Sequence, residues 1–93
     1  MNLKGMKFVI TGSGAGIGAG TALRAASYGA SVMVSDINDE NGQKVVESIK
    51  AEDGIAYYHH CDVTDENQVL ELMSQAQQKM GGIDVLHNNA GIH

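Results

Sequence analysis

The 93-residue sequence predicts an α/β fold, a single open parallel sheet of four strands with three helices on its two faces. Three observations carry this. Short β-rich apolar runs alternate strictly with segments of helical periodicity, the glycine-rich stretch TGSGAGIG joins the first run to the first helix, and Asp36 ends the second run. Alternation with short connections implies right-handed crossovers between parallel strands, and the expected strand order is 3-2-1-4.

Each element has its own signal. Phe8, Val9 and Ile10 form an unbroken apolar run, as a strand buried on both faces requires (β1). From Ile17 to about Tyr28 the chain is Ala-rich; Ile17, Leu23 and Ala26 are spaced to pack a helix (α1) on the sheet, with Gly29 suited to its end and Gly20 a local weakness. Val32, Met33 and Val34 give β2, ending at Ser35 and Asp36. Asn38 or Asp39 can cap a second helix (α2), which has Val45, Val46 and Ile49 on its apolar face and ends near Asp53 and Gly54. Ile55 to His60 reads as β3. Thr64 is expected to cap a third helix (α3) that runs to Gly81 and Gly82, with Asp65 and Glu66 at its positive end and a core stripe of Val69, Met73, Ala76 and Met80. Ile83 to His87 then makes β4, followed by Asn88, Asn89, Ala90 and Gly91.

Composition narrows the function classes. With 93 residues and 43% hydrophobic content, the chain makes one domain with one modest core. A net charge of −5 disfavours a nucleic-acid or anionic-membrane partner, which would need a basic face. The opening MNLKGMKFVIT is too short in apolar residues for a signal-peptide core or a membrane span. Cys61 is the only cysteine, so there is no internal disulfide and no multi-cysteine zinc site; a reducing, cytoplasmic compartment is expected. His59 and His60 beside it alternate along a strand and cannot converge on one metal ion.

The glycine loop carries the most specific chemistry. A pyrophosphate must come close to the backbone, and the first turn of a helix offers free amides together with the positive end of its dipole. Gly12 permits the sharp turn out of β1, Gly16 lets a phosphate near the chain, and Gly18 lets the new helix pack tightly on the sheet. Strand before, helix after and an acid closing the next strand together make this a dinucleotide-binding, Rossmann-like pattern. Asp36 stands where a carboxylate accepts hydrogen bonds from the adenosine ribose hydroxyls. It also disfavours a 2′-phosphate, since like unit charges 4 Å apart cost about 4 kcal/mol at an effective dielectric near 20. Ala15 and Ile37 supply no compensating cation, so NAD is expected in preference to NADP.

TGSGAGIG, then Asp36, then CysAspVal at 61 to 63, then AsnAsnAlaGly at 88 to 91 follow one another as they do in the short-chain dehydrogenase/reductase family, which this chain resembles over nearly its whole length. The resemblance implies that Gly12, Ser13, Gly16, Ile17 and Gly18 surround the pyrophosphate and that Asp36 and Ile37 meet the ribose. It further implies that Asp62 and Val63 contact the adenine, that Asn89, Ala90 and Gly91 line the cofactor, and that Asn88 braces the sheet. Family members continue into further elements carrying a helix Asn and a catalytic Ser, Tyr and Lys. None of these can be assigned here: Tyr28, Tyr57 and Tyr58 are followed four residues later by Val32, Cys61 and Asp62, never by lysine.

The expectation is therefore a half-domain over residues 1–93, the NAD-binding part of an oxidoreductase that moves hydride between nicotinamide and an alcohol or carbonyl, inactive by itself. The alternatives are a freestanding, non-catalytic dinucleotide-binding module and a truncated structural fragment. If β4 is the last strand, Ile83, Val85 and Leu86 lie on an unpaired edge, and self-association through that edge is expected.

Overall fold

The structure, a computed structural model, describes residues 1–89. Its elements run β1 (Lys7–Thr11), α1 (Gly16–Ser27), β2 (Ser31–Asp36), α2 (Asp39–Ala51), β3 (Ile55–His60), α3 (Glu66–Met80) and β4 (Val85–Asn88). All pairings are parallel and the sheet order is β3-β2-β1-β4, as the alternation predicts. Phe8 sits opposite Val32 on one side and Val85 on the other.

Because successive side chains on a strand point to opposite faces, the apolar runs of β1 and β2 feed two cores. Ile10, Val32 and Val34 pack with Ala22, Ala25 and Ala26 of α1 and Val45, Val46 and Ile49 of α2. Val9 and Met33 turn the other way, onto Leu72 and Ala76 of α3 and onto Cys61. The helices thus cover both faces. Among the described residues no helix is long and apolar enough to cross a membrane.

Three local expectations are corrected, and the α3 core stripe gains Leu72. On α1, Ile17 and Leu23 turn outward, 77% and 40% exposed, and the helix meets the sheet through its alanines instead. Small side chains suit that face because Gly18 brings the first turn against the loop backbone. On α3 the buried centre is Leu72 with Ala76, while Val69, Met73 and Met80 are only partly buried at its margin. The cap of α3 is Asp65, whose Oδ1 accepts from the amides of Asn67 (3.0 Å) and Gln68 (3.3 Å), because the Thr64 hydroxyl is drawn off to Asp62 Oδ1 (2.7 Å). β4 starts two residues later than expected and includes Asn88. Asp84 meets Lys7 with both its groups, its amide donating to the Lys7 carbonyl (2.8 Å) and its Oδ2 accepting from the Lys7 amide (2.9 Å), and the ladder begins beyond this junction. For α2, where two caps were open, Asn38 is the cap and accepts from the Asn41 amide at 3.0 Å.

Candidate functional site

Parallel strands bring all their carboxyl ends to one edge, and a ligand crevice forms where the strand order reverses. Here the reversal lies between β1, which leads to β2, and β4, on the other side of β1. The residues after β1, β2, β3 and β4 therefore gather along that one edge.

The loop out of β1 is shaped by two left-handed positions, Gly12 (φ 63°) and Gly16 (φ 58°). Ala15, the residue before α1, offers no side-chain cap, and the first turn carries no acid. The amides of Gly16, Ile17 and Gly18 precede the first intrahelical bond, from the Ala19 amide to the Ala15 carbonyl at 3.2 Å. The other two helices differ, since Asn38 and Asp65 cap them and acids fill their first turns. A side chain at Gly16 would meet nothing within 4 Å, so the backbone there faces open space. At Gly18 the opposite holds: a Cβ would run into the Gly12 carbonyl oxygen and lie 2.7 Å from the Asn89 amide nitrogen. The glycine is what lets α1 start directly beneath the loop.

Ser13 faces inward rather than toward the open side of the loop. It is fully buried, with its hydroxyl donating to the carbonyls of Ile10 (2.6 Å) and Ser35 (3.1 Å) and accepting from the Ser35 amide (3.0 Å), while its own amide donates to the Ser35 carbonyl (3.0 Å). Ser13 ties the loop to β2. Ile17 projects outward at the start of α1.

Asp36, partly buried at the end of β2, receives the Gly14 amide on Oδ2 (2.8 Å) and the Asn38 amide on Oδ1 (2.9 Å). Ile37 next to it is 61% exposed. Behind them, the Tyr58 hydroxyl donates to Asp39 Oδ1 (2.6 Å) and to the Asp36 carbonyl (2.9 Å), and His60 Nδ1 lies 2.7 Å from the same Asp39 oxygen. The Tyr58 hydroxyl, with the His60 ring second, holds the Asp39 carboxyl below the usual carboxylate range. Burial, then the Asp39 partner, pushes the Tyr58 phenol well above its ordinary value. Past β3, Asp62 Oδ1 accepts from the Thr64 hydroxyl and from the Thr64 amide (2.9 Å), which keeps the Asp62 carboxyl low. Val63 packs against the core on the α3 side.

Past β4, the Asn89 side-chain amide donates to the Gly12 carbonyl at 3.2 Å. Asn88 Oδ1 accepts from the Thr11 hydroxyl at 2.8 Å, in register with it across the β1–β4 ladder, the bracing position the family pattern implies. Ala90 and Gly91 lie outside the described residues. His59 turns toward Glu71 of α3 (3.6 Å) and His60 toward Asp39 of α2, on opposite sides of β3. Cys61 is buried, and burial raises its thiol. Among the described residues no three His, Cys, Asp or Glu side chains are grouped to hold a metal ion.

Sequence reasoning passed over Gly14, Asn38 and Asp39 as parts of this site, and considered Tyr58 only for the lysine it lacks. Gly14 lies in the turn with no left-handed backbone angle to mark it; its constraint comes from Asp36, which no local pattern reveals.

Residues 7–93 match the family model described as short chain dehydrogenase. The chain is 44% identical over 91 residues to 7alpha-hydroxysteroid dehydrogenase of Escherichia coli (strain K12), a match that covers 98% of this chain and 36% of that protein. It superposes with a TM-score of 0.95 on a crystal structure of hydroxysteroid dehydrogenase from Escherichia coli, at 44% identity, over 98% of this chain and 39% of that one. With 7 alpha-hydroxysteroid dehydrogenase complexed with NADH and 7-oxo glycochenodeoxycholic acid, the TM-score is 0.90 at 42% identity, over 91% of this chain and 33% of that one. This chain belongs to the short-chain dehydrogenase/reductase family, and it spans about a third of the length of the relatives it matches.

Proposed function

We propose that residues 1–93 are a dinucleotide-binding half-domain that holds the adenosine and pyrophosphate portions of NAD, in preference to NADP. The observation that carries the reading is the pairing of two features on one loop: the uncapped, acid-free start of α1 at Gly16, and the Asp36 carboxylate held 2.8 Å from the Gly14 amide. The first suits a doubly charged pyrophosphate and the second suits ribose hydroxyls. Gly12, Gly16, Ile17 and Gly18 face the pyrophosphate, with Ser13 holding the loop in shape from behind. Asp36 and Ile37 meet the ribose, Asp62 and Val63 the adenine, and Asn89, Ala90 and Gly91 the cofactor beyond β4. An NADH-bound relative supports the cofactor class.

The bound cofactor supplies hydride exchange at its nicotinamide, and the reaction class is oxidation of an alcohol or reduction of a carbonyl. This chain's residues bind and orient; the Ser, Tyr and Lys that would move the substrate proton are not among them. The net charge of −5 and the single buried thiol support a cytoplasmic protein without a nucleic-acid partner. Among the described residues β4 pairs on one side only, which supports self-association.

Calorimetric titration of the chain with NADH and, in parallel, NADPH tests the reading. NADH should bind saturably and more tightly than NADPH, and Asp36→Ala should weaken NADH and bring the two affinities together. Equal affinities in the unaltered, folded chain would contradict it.

A further inference from the structure

We infer that Gly14 is a specificity-setting residue, the one that fixes the Asp36 carboxylate in the orientation from which it discriminates between dinucleotides. The inference rests on the proposed NAD site and extends it to a residue outside the glycine positions that the loop pattern explains.

Gly14 differs from its neighbours Gly12 and Gly16. Those two take left-handed backbone angles, which by themselves favour glycine, whereas Gly14 does not. What excludes a side chain at 14 is space: a Cβ there would lie 2.8 Å from Asp36 Oδ2 and 3.0 Å from the Asn41 Cβ. Neither neighbour yields freely in place. Asn41 is fixed in the first turn of α2, with its amide bonded to the Asn38 cap. The Asp36 carboxylate is held at both oxygens, by the Gly14 amide on one and the Asn38 amide on the other. The softest response to a new methyl group is therefore rotation of the Asp36 side chain, which gives up those amide bonds and turns the charge away from its post. The Asn41 Cβ, at 3.0 Å, then requires only a shift of a few tenths of an ångström between loop and α2.

That division predicts a change in selectivity rather than a loss of fold. A hydrogen bond to a charged group is worth enough to shift an affinity ratio by about tenfold. Gly14→Ala should lower the NADH-over-NADPH preference of the full chain by about this factor, as measured by calorimetry. In an Asp36→Ala background the same substitution should change the preference little, because the group it displaces is gone. Should Gly14→Ala weaken both dinucleotides alike in both backgrounds, or leave the preference intact, Gly14 does not act through Asp36 and the inference is overturned. Absence of any NADH preference in the unaltered chain would instead overturn the binding reading itself, and this inference with it. A second measurement needs neither ligand nor the Gly14 variant: in Asp36→Asn the Gly14 amide proton, followed by NMR, should shift and exchange faster with solvent. An unmoved Gly14 resonance overturns the inference as well.

Discussion

Gly42 stands inside α2 with the Tyr58 ring pressed against it, so closely that a Cβ would overlap the ring edge. Two effects compete when alanine replaces it. Helix propensity favours alanine by about 1 kcal/mol, while forcing a methyl group into a filled space costs about 1–3 kcal/mol. The ring cannot easily retreat, because its hydroxyl is anchored on Asp39 and on the Asp36 carbonyl. Gly42→Ala should therefore lower stability, seen as an earlier urea midpoint, and the loss should shrink when Tyr58 is first replaced by a smaller residue. Individual residues were legible where the chain announces them locally. Gly12, Gly16 and Asp36 stand out through spacing and strand position, but Gly14 and Gly42 are constrained by partners far along the chain, and nothing in a short window of sequence marks them.

Among the elements, α1 offers the counterpart to α2. Gly20 lies in its middle with nothing within 4 Å of the position a Cβ would take, and it is exposed. Only propensity acts there. Gly20→Ala should raise stability by about 1 kcal/mol, read as a higher thermal midpoint or a later urea midpoint. The strands and helices themselves were readable because apolar runs and helical stripes differ in period. Their faces were less so. The α1 pattern offers Ile17 and Leu23 to the core, but the helix starting beneath the Gly12 carbonyl packs through its alanines. At α3, Thr64 is the expected cap, but the Asp62 carboxylate takes the Thr64 hydroxyl and Asp65 caps the helix instead. At β4, the Asp84 junction with Lys7 delays the strand start in a way that apolar periodicity does not register.

For the molecule as a whole, strand order followed from alternation and handedness, which leave few ways to arrange four parallel strands. Among the described residues β4 ends the row of four strands, with Leu86 51% exposed, and a hollow of 470 Å³ is lined by Leu3, Phe8, Ile17, Arg24 and Tyr28 among others. Phe8, which lines the hollow, is the register partner of Val85. The proposed self-association makes a definite demand on light scattering across a dilution series: the mass should exceed that of a monomer at high concentration and fall on dilution. Leu86→Lys, placing charge on the edge, should favour the monomer. Constant monomer mass throughout would remove the proposal.

The bonds that join β4 to the rest of the sheet share a feature of chain geometry. Lys7 with Asp84, Thr11 with Asn88 and Gly12 with Asn89 are each separated by 77 residues, so all three belong to one long closure of the polypeptide. In chain-entropy terms that closure costs only about 1 kcal/mol more than joining β1 to β2 across a loop roughly a third as long. It is nevertheless the closure that brings the β1 loop and the residues after β4 together. A ligand gripped by both the β1 loop and the residues after β4 binds only chains in which these two segments have met. Its binding free energy then adds directly to the docking of β4 on β1, and this seam of the sheet becomes the one that occupancy secures.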